Sequence, residues 1–402
     1  MNKVKNQNEE LLSTYKAVMM PNYDPADFVI KKASGSVVWD QNDKKYIDFG
    51  GGIAVNCLGH SHPELLNALE EQARKIWHHS NYLTSEASIN LAKSLTDLTF
   101  ADKIFFSNSG SEANEAAIKL ARKYHHSSGS NKTEIITFTN SFHGRSILNI
   151  SLGGSEFHRE GFGPTVQDIL PAEFNNLEAV KKIISNKTVA IIIEPIQGES
   201  GIRASNQDFL EGLRELCDQE ETLLIFDEVQ SGIGRTGNLF AYMKYGVEPD
   251  ILTCAKGLGG GMPIGATFTI NKIADTLTSG SHGSTFGGNP LACAVALRVI
   301  DLVKQDSFLK GVKQKEMLIR KGLEKLSEQH QTFSDIRSEG LWFGCDLRKE
   351  NEVNSLLKLC YGEGLIAVSA GTSTLRFAPA LNIPESDIQE GLFRLEKAIE
   401  KF

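Results

Sequence analysis

In Ile251-Leu252-Thr253-Cys254-Ala255-Lys256-Gly257-Leu258-Gly259-Gly260-Gly261-Met262-Pro263, one lysine lies between a short apolar run and a series of glycines. An apolar run that stops at Gly and Pro predicts a buried strand that enters a loop. Glycines after Lys256 let the backbone approach a ligand where a Cβ atom would collide. A lysine held there can lose its proton and attack a carbonyl carbon, because desolvation disfavours the ammonium form. A solvated loop lysine is the plainer interpretation of Lys256 alone, so its role depends on partners elsewhere.

Two earlier apolar runs end in acidic residues. Residues 188–193 run unbroken into Glu194, and residues 222–226 run into Asp227. Such runs predict strands covered on both faces, and the carboxyl ends of parallel strands form the ligand-binding edge of an α/β sheet. An acid directly after a buried strand needs a cationic partner. Lys256 follows one helix-and-strand excursion later, so it either pairs directly with Asp227 or holds the aldehyde of a ligand whose ring nitrogen Asp227 binds.

A Ser/Gly loop lies between a short strand at residues 103–107 and a helix that runs to Arg122. Ser109 and Glu112 have the spacing of a capping box, in which each side chain satisfies a backbone N–H group at the start of a helix. A helix N-terminus with free N–H groups and hydroxyls binds phosphate well. An ordinary N-cap explains this loop equally well, and the loop lacks the P-loop pattern of nucleotide-binding proteins.

Two further loops carry side chains suited to a ligand. After a strand at residues 133–137, Phe142 and Arg145 flank a Gly and can stack on a flat ring and bind a carboxylate. A core phenylalanine and a surface arginine are the alternatives. Ser284 and Thr285 precede another helix, which they can cap, or they can help to bind a phosphate.

Composition restricts the class of protein. The 402 residues are 41% hydrophobic and 23% charged, as in an ordinary soluble globular protein, and the net charge of −8 argues against nucleic acid or an anionic membrane as the main partner. The six cysteines are scattered and form no zinc-binding pattern, which favours a reducing compartment. Residues 1–20 resemble neither a signal peptide nor a transit peptide, and no apolar run is long enough to span a membrane. We therefore expect a cytoplasmic protein without a bound metal.

Strand and helix patterns alternate through most of the chain, which predicts an α/β fold with a large, mostly parallel sheet flanked by helices. We expect an N-terminal arm and hairpin at residues 1–50, with the hairpin at 36–49, a large domain at 51–300 and a smaller α+β domain at 301–402. The patterns also predict helices at residues 64–78, 309–329 and 352–363. The hairpin leads into glycine-rich residues 50–63, whose composition indicates an unusual backbone. His60 and His62 in that segment fit structural roles better than metal ligation, because no Cys or carboxylate stands at a matching spacing.

Several of these motifs occur together in one known order. The sequence from about Pro25 to the C-terminus resembles the class III, fold-type I, pyridoxal-phosphate aminotransferases, and the likeness is greatest to the branch that uses acetylornithine. It rests on the segments Gly51–Pro63, Ser109–Glu112, Phe142–Arg145, Glu194–Glu199 and Asp227–Gln230, and on Lys256, Ser284, Thr285 and Arg376. Each motif is weak alone, and their shared order makes the resemblance specific.

The resemblance implies pyridoxal 5'-phosphate as cofactor and a homodimer with shared active sites. It makes Lys256 the Schiff-base lysine and the acid and base of the proton transfer, and Asp227 the partner of the pyridine nitrogen, which must stay protonated to withdraw electrons. The remaining cofactor contacts that it implies are Ser109, Gly110 and Ser111 at the phosphate, Phe142 and Val229 on the two ring faces, Gln230 at the ring hydroxyl, and Thr285 at the phosphate of the neighbouring subunit.

The resemblance also implies how two substrates share one site. Arg376 matches the arginine that binds the α-carboxylate of glutamate and 2-oxoglutarate, and Glu199 matches the glutamate that neutralises this arginine while the other substrate is bound. Arg145 and Ser284 match positions that bind acetylornithine. Ornithine-specific relatives carry a tyrosine where this chain has Gly52, which favours an acylated substrate in arginine biosynthesis. Acetylornithine ranks ahead of succinylornithine, and ornithine, 4-aminobutyrate and acetyl-lysine-type substrates stay open.

Other classes of protein fit less well. A cofactor-free Schiff-base enzyme of the aldolase type would use Lys256 but would need neither a phosphate site nor Asp227. A non-catalytic binding protein on the same scaffold would be expected to lack one of the two. A mutase or decarboxylase with the same cofactor is the closest rival, and the combination of Glu199 with Arg376 favours transamination because it serves two substrates.

Overall fold

The computed structural model describes residues 7–402, so the first six residues of the expected N-terminal arm lie outside the described residues. These residues form two compact units. One contains the described residues up to His62 together with residues 313–402, and the other contains residues 63–312. The domain boundaries expected from the sequence, after residues 50 and 300, stay a prediction.

The strands and helices follow the alternation seen in the sequence. The strands are β1 Ile30–Ser34, β2 Val37–Asp40, β3 Lys45–Asp48, β4 Lys103–Ser107, β5 Glu134–Phe138, β6 Ile169–Ala172, β7 Thr188–Ile193, β8 Ile196–Gln197, β9 Arg203–Ala204, β10 Leu223–Asp227, β11 Ile251–Cys254, β12 Gly265–Thr269, β13 Phe333–Ser338, β14 Phe343–Leu347, β15 Leu365–Ile366, β16 Val368–Ala370 and β17 Thr374–Phe377. The helical segments are α1 Gln7–Val18, α2 Gly51–Ala54, α3 Pro63–Ala73, α4 Glu86–Asp97, α5 Gly110–Ser127, α6 Ile147–Leu152, α7 Leu177–Ile183, α8 Gln207–Gln219, α9 Tyr242–Tyr245, α10 Asn271–Ala274, α11 Pro290–Val303, α12 Asp306–His330, α13 Val353–Gly362 and α14 Glu385–Ile399.

The larger unit is built on a seven-stranded sheet in the order β4-β12-β11-β10-β7-β5-β6. The neighbours from β11 to β6 pair in parallel, whereas β12 pairs antiparallel with both β11 and β4. Every residue of β7 and β10 is buried, as their unbroken apolar runs predict for strands covered on both faces. The predicted mostly parallel α/β fold is confirmed, and the reversed strand β12 is the feature that the sequence patterns did not indicate.

Helix α5 covers one face of this sheet next to β11 and β12. Its inner face is formed by small side chains, among them Ala113, Ala116 and Ala117, all of which are buried. Small residues let a helix backbone lie close to a sheet, so the N-terminus of α5 sits directly beside the ends of the central strands. This arrangement brings a helix N-terminus and the sheet edge to the same place.

Helix α3 ends earlier than its pattern predicts. The apolar spacing indicated a helix at residues 64–78, but the helix ends at Ala73. The indole Nε1 of Trp77 donates a hydrogen bond to the backbone oxygen of Ala73 at 2.8 Å. A side-chain donor there satisfies one of the carbonyl groups that a continuing helix would otherwise use.

The smaller unit contains two four-stranded sheets, in the orders β1-β2-β3-β15 and β13-β14-β17-β16. The predicted hairpin at residues 36–49 is confirmed as the antiparallel pair β2 and β3, and β3 also pairs in parallel with β15. Predicted helices at 309–329 and 352–363 correspond to α12 and α13. Within residues 7–402, none of the helices combines the length and apolar character needed to cross a membrane.

The glycine-rich segment of the smaller unit has the unusual backbone that its composition indicated. Gly51, Gly52, Ile53 and Ala54 all have φ between 55° and 63°. Two observations explain how this left-handed turn is held. Asp48 Oδ1 accepts hydrogen bonds from the N–H groups of Gly50 and Gly51, and a Cβ atom on Gly51 would lie 2.3 Å from the backbone oxygen of Ala378. Left-handed conformations in non-glycine residues such as Ile53 cost about 1–3 kcal/mol each and persist where the surroundings fix them.

Candidate active site

Asp227 and Lys256 emerge at the same edge of the central sheet. Asp227 is the last residue of β10, and its register partner on the parallel neighbour β11 is Thr253. Lys256 follows β11 and begins a short 3₁₀ turn, Lys256–Gly259, with a φ of 41°. The carboxylate is 4% exposed, whereas the lysine is half-buried. The acid and the amine therefore lie at the ends of adjacent parallel strands, where α/β sheets bind ligands.

The Asp227 carboxylate is surrounded by hydrogen-bond donors. Its Oδ2 accepts from Asn114 Nδ2 and lies 2.8 Å from His143 Nδ1, and its Oδ1 accepts from the backbone N–H of Val229 at 3.0 Å. These partners are an amide, an imidazole and a backbone group rather than a lysine or an arginine. Three donors keep the carboxylate oriented, and a buried negative charge with such partners is suited to receive a cation from a ligand.

Close backbone approaches mark the N-terminus of α5. A Cβ atom on Gly110 would lie 2.7 Å from Val229 Cγ1, and one on Gly144 would lie 2.2 Å from Ser111 Oγ. Gly144 also has a φ of 129°, which side chains rarely allow. Glycine is therefore required at both positions. The first N–H groups of a helix have no intrahelical acceptor, so Gly110 and Ser111 present donors at this edge.

Ser109 caps α5. Its Oγ accepts from the N–H of Glu112 at 3.2 Å, and Glu112 Oε2 accepts from the N–H of Asn108 at 2.7 Å. The predicted capping box is thus present in a shifted form, because the glutamate returns to the residue before the cap. The serine hydroxyl is engaged within its own loop, and its predicted contact with a phosphate stays a prediction.

The loop after β5 places Phe142 beside two acidic strand ends. The N–H of Phe142 donates to Glu194 Oε1 at 2.8 Å, and burial together with the charge of Asp227 raises the pKa of Glu194 well above its usual value. The guanidinium of Arg145 lies over the Phe142 ring at 5.4 Å, and Arg145 itself is exposed. Phe142 is therefore anchored through its backbone, and its half-buried ring lies between the Arg145 guanidinium and a T-shaped contact with His158.

Three other predicted site residues of the larger unit, Glu199, Gln230 and Ser284, take part in side-chain hydrogen bonds. Gln230 Nε2 donates to Glu199 Oε1 at 3.1 Å. This bond links the residue expected at the ring hydroxyl with the glutamate expected to neutralise Arg376. Ser284 Oγ accepts from Asn108 Nδ2 at 3.0 Å, which ties its loop to the start of α5. Thr285 is exposed.

Arg376 belongs to the smaller unit. It lies in the middle of β17, where its register partners are Gly344 on β14 and Val368 on β16, and it is 2% exposed. An arginine at a sheet interior is held in a defined direction, as a carboxylate-binding residue must be.

A second buried acid follows Asp227 and has a structural role. Glu228 is fully buried, and its carboxylate accepts from the N–H groups of Ala241 and Tyr242 and from the Ser231 hydroxyl. It thereby fixes the segment that starts α9. Burial outweighs these donors and raises the pKa of Glu228 to about 7.

The raised pKa of Glu228 predicts a pH-dependent stability. The folded protein binds this proton more tightly than the unfolded chain, so the unfolding free energy should fall as the pH rises from about 4.5 to about 7, by on the order of 3 kcal/mol from this group. Glu228→Gln should lower stability overall and flatten that part of the profile. Urea unfolding of both proteins at several pH values measures the difference, and parallel profiles would contradict the assignment.

Three site residues were not assigned a role from the sequence. Asn114, His143 and Thr253 are 2% exposed or less and are joined to Asp227 directly or through one hydrogen bond. A polar side chain on the buried face of α5 was the available signal for Asn114, because buried polar groups require partners. The pattern offered no such signal for Thr253, since threonine is common in strands.

Comparison with known proteins gives one consistent result. The family Aminotransferase class-III matches residues 18–399. A succinylornithine transaminase of Photorhabdus laumondii is 52% identical over 393 residues, 97% of this chain and 98% of that protein, and an acetylornithine aminotransferase of Pseudomonas putida is 50% identical over 385 residues, 95% of each. The crystal structure of N-acetylornithine aminotransferase from Stenotrophomonas maltophilia K279a superposes with a TM-score of 0.85 at 37% identity, over 97% of this chain and 99% of that one. A match along nearly the whole sequence, with the same fold, shows that this chain belongs to the class III aminotransferases and is a transaminase.

Proposed function

We propose that this transaminase transfers the terminal amino group of N2-acetylornithine to 2-oxoglutarate, with pyridoxal 5'-phosphate as cofactor. The products are N-acetylglutamate semialdehyde and glutamate, which would place the reaction in arginine biosynthesis. The observation that carries the proposal is the position of Asp227 and Lys256 at the ends of adjacent parallel strands, beside a glycine-lined helix N-terminus.

The residues at this edge fit the three polar ends of pyridoxal phosphate. Asp227 offers a buried carboxylate to a protonated ring nitrogen, and the start of α5 offers backbone donors to a phosphate. Gly110 and Gly144 leave backbone close to Val229 and Ser111, where any Cβ atom would collide. Lys256 is the amine for the aldehyde. A cofactor with an aromatic ring, an anionic tail and an electrophilic carbon matches this set of groups.

The bound cofactor would supply an electron-withdrawing ring that accepts the electron pair left on the substrate carbon. Asp227 keeps the proton on the ring nitrogen, because an adjacent carboxylate favours the charged form of that nitrogen. Lys256 Nζ would take up the proton from the carbon that bears the amino group and would return it two atoms away, to the carbon on the other side of the nitrogen. Phe142 and Val229 would cover the ring faces, and Gln230 would hold the ring hydroxyl. Arg376 would bind the α-carboxylate of glutamate, and Glu199 would neutralise that arginine in the other half-reaction.

Acetylornithine is favoured as amino donor by two observations. Gly52 leaves no side chain at the position where the family resemblance implies a tyrosine in ornithine-specific relatives, and it lies in a left-handed turn. Acetylornithine is also the substrate named for the Pseudomonas putida and Stenotrophomonas maltophilia relatives. Succinylornithine is the second candidate, because the Photorhabdus laumondii relative is named for it.

An amino-donor screen tests the proposed substrate. With 2-oxoglutarate as acceptor, kcat/KM should be highest for acetylornithine, and free ornithine and 4-aminobutyrate should be lower by about tenfold or more, since an unmatched charged end leaves polar groups of the site unpaired. Glutamate formation measures each reaction. If kcat/KM were highest for succinylornithine, the proposed acyl group would be succinyl instead of acetyl. If kcat/KM were highest for ornithine or 4-aminobutyrate, the proposal would be contradicted.

The expected role of Glu199 predicts an asymmetric defect. Glu199→Ala should slow the half-reaction with acetylornithine by about tenfold or more and should change the half-reaction with glutamate much less, because the charge is needed when no α-carboxylate occupies Arg376. Single-turnover absorbance measures each half-reaction separately. Glu199→Gln keeps the size and the contact with Gln230 and removes the charge, so it should behave like the alanine variant. Equal losses in both half-reactions would contradict the proposal that Glu199 neutralises Arg376 in only one of them.

We also propose a homodimer. Trp77, Tyr82 and Phe286 are 65%, 99% and 59% exposed, and Asn81 Nδ2 donates to the backbone oxygens of Ser284 and Gly287, which holds these aromatic side chains close to the Thr285 loop. An exposed apolar patch of this kind is typical of a protein interface. This patch supports a dimer in which the exposed Thr285 contacts the cofactor phosphate of the neighbouring subunit. Sedimentation should give twice the 44.1 kDa chain mass, and a monomer at micromolar concentration would contradict the dimer.

A cytoplasmic location is the accompanying proposal. The six cysteines all lie within the described residues, are buried and form no disulfide, which agrees with a reducing compartment. Cell fractionation tests it, and recovery outside the cytoplasm would contradict it.

A further inference from the structure

Asn114 connects Asp227 with the strand that leads to Lys256. It lies on the buried face of α5 and is 1% exposed. Its Nδ2 donates to Asp227 Oδ2 and to the backbone oxygen of His143, each at 2.8 Å, and its Oδ1 accepts from Thr253 Oγ1 at 2.7 Å. Both ends of this amide are thus engaged, and the chain of hydrogen bonds runs from a hydroxyl inside β11 to the carboxylate.

The orientation of this amide matters because its two ends have nearly the same shape. In the reverse orientation, Asn114 Oδ1 would face Asp227 Oδ2 and the His143 carbonyl, which are both acceptors. A buried acceptor that faces acceptors keeps its desolvation penalty and repels the carboxylate. In the observed orientation, the Thr253 hydroxyl gives Oδ1 the donor that it requires. The two acceptors thus fix the orientation in which Asn114 donates to Asp227, and Thr253 holds the amide there by pairing its buried Oδ1.

The fold alone does not require a hydroxyl at this position. Thr253 is fully buried in a strand whose other residues are Ile251, Leu252 and Cys254, and valine has the same branched shape with a high strand propensity. Its register partner on β12, Thr267, provides a direct comparison. Thr267 Oγ1 also reaches α5, where it donates to the backbone oxygen of Ala113 at 2.9 Å. The two hydroxyls have similar burial and contact the same helix, but the Thr267 bond ends at a helix carbonyl.

We propose that Thr253 is a positioning residue that acts through Asn114 to hold the Asp227 carboxylate in place for the cofactor ring. This inference rests on the proposed function, because it assigns the role of Asp227 to the ring nitrogen of pyridoxal phosphate. It adds two residues to the site, Thr253 and Asn114, of which neither carries out chemistry. Loss of the hydroxyl leaves the buried Oδ1 of Asn114 without this donor, so the amide is held less firmly and its hydrogen bond to the carboxylate weakens.

Three variants of the full-length protein test the proposal: Thr253→Val, Thr253→Ser and Thr267→Val. Each is stripped of cofactor, and its dissociation constant for pyridoxal phosphate is measured by protein fluorescence. Thr253→Val should raise that constant about tenfold, because the amide that donates to the charged carboxylate loses the hydrogen bond that holds it, whereas Thr253→Ser and Thr267→Val should stay within about twofold of the parent. Thr253→Val should also shift the pH midpoint of the visible absorption band of the loaded protein. The urea midpoints of the two valine variants should fall by similar amounts.

The outcomes separate a positioning role from a structural one. Equal cofactor affinities for Thr253→Val and Thr267→Val, or an unchanged absorption midpoint in Thr253→Val, would overturn the proposal while the function stands. If Thr253→Val does not fold, Thr253→Ala removes the same hydroxyl and is compared with Thr253→Ser in the same way. Failure of the parent protein to bind pyridoxal phosphate would overturn the proposed function and this inference together.

Discussion

Lys256→Ala is expected to lower kcat by about 10⁴-fold or more while the fold is retained. Lys256 is the amine that directly follows β11 at the ligand-binding edge. Under the proposed function, its removal takes away both the attachment point for the aldehyde and the group that moves the proton. The side chain is half-buried rather than part of the core, so little packing is lost. Steady-state amino transfer measures the effect, and circular dichroism with urea unfolding checks the fold.

A matched control is available on the surface of the same unit. Lys181 lies in α7 and pairs with Glu178 in an exposed ion pair, so Lys181→Ala should leave kcat within about twofold of the parent. Ordinary steady-state turnover by a well-folded Lys256→Ala protein would remove the assignment of Lys256.

The second large effect is expected at Asp227. Asp227→Asn should lower kcat/KM by about 10²- to 10³-fold, in line with the cost of breaking a buried charge pair. An amide cannot keep the proton on a ring nitrogen. Its own N–H₂ group would also have to face Asn114 Nδ2, His143 Nδ1 or the Val229 N–H, which all donate to the carboxylate. Cofactor affinity should therefore fall together with activity.

A substitution of the neighbouring acid, Glu228, tests whether the effect of Asp227→Asn is specific to the cofactor site or common to any buried acid. Glu228 is as deeply buried as Asp227. Its carboxylate, however, accepts hydrogen bonds from Ala241, Tyr242 and Ser231 and thereby fixes the segment that starts α9. Glu228→Gln should change stability and its pH profile with little loss of cofactor affinity. If Asp227→Asn bound the cofactor as tightly as the parent, the carboxylate would have no role at the ring.

The fold could be predicted because its central strands are simple. Residues 188–193, 223–226 and 251–254 are mainly apolar runs in which every residue is buried, and such runs require helices on both faces. The direction of β12 could not be predicted, because a five-residue strand carries no signal for the antiparallel pairing that it makes with β11 and β4. At the early end of α3, the Ala73 carbonyl accepts from the Trp77 indole, a side-chain contact that no helical pattern contains.

The site was predictable where local sequence determines geometry. Ser109 caps α5 because the loop and the helix start are adjacent in the chain, and Asp227 and Lys256 each follow an apolar run. Asn114 and Thr253 meet only because α5 lies across β11, and no spacing in the sequence specifies that contact. The hydrogen-bond set around Asp227 is a property of tertiary structure, whereas the residues that would perform the chemistry are marked by motifs.

The central claim is that Lys256 carries the cofactor whose ring nitrogen Asp227 holds. The measurement that tests it most directly is borohydride reduction of the protein loaded with pyridoxal phosphate, followed by digestion and mass spectrometry of the peptides. We expect one pyridoxyl phosphate group per chain, attached to the peptide that contains Lys256, and none on Lys181. Attachment to a different lysine, or no attachment after the loaded protein is reduced, would contradict the claim.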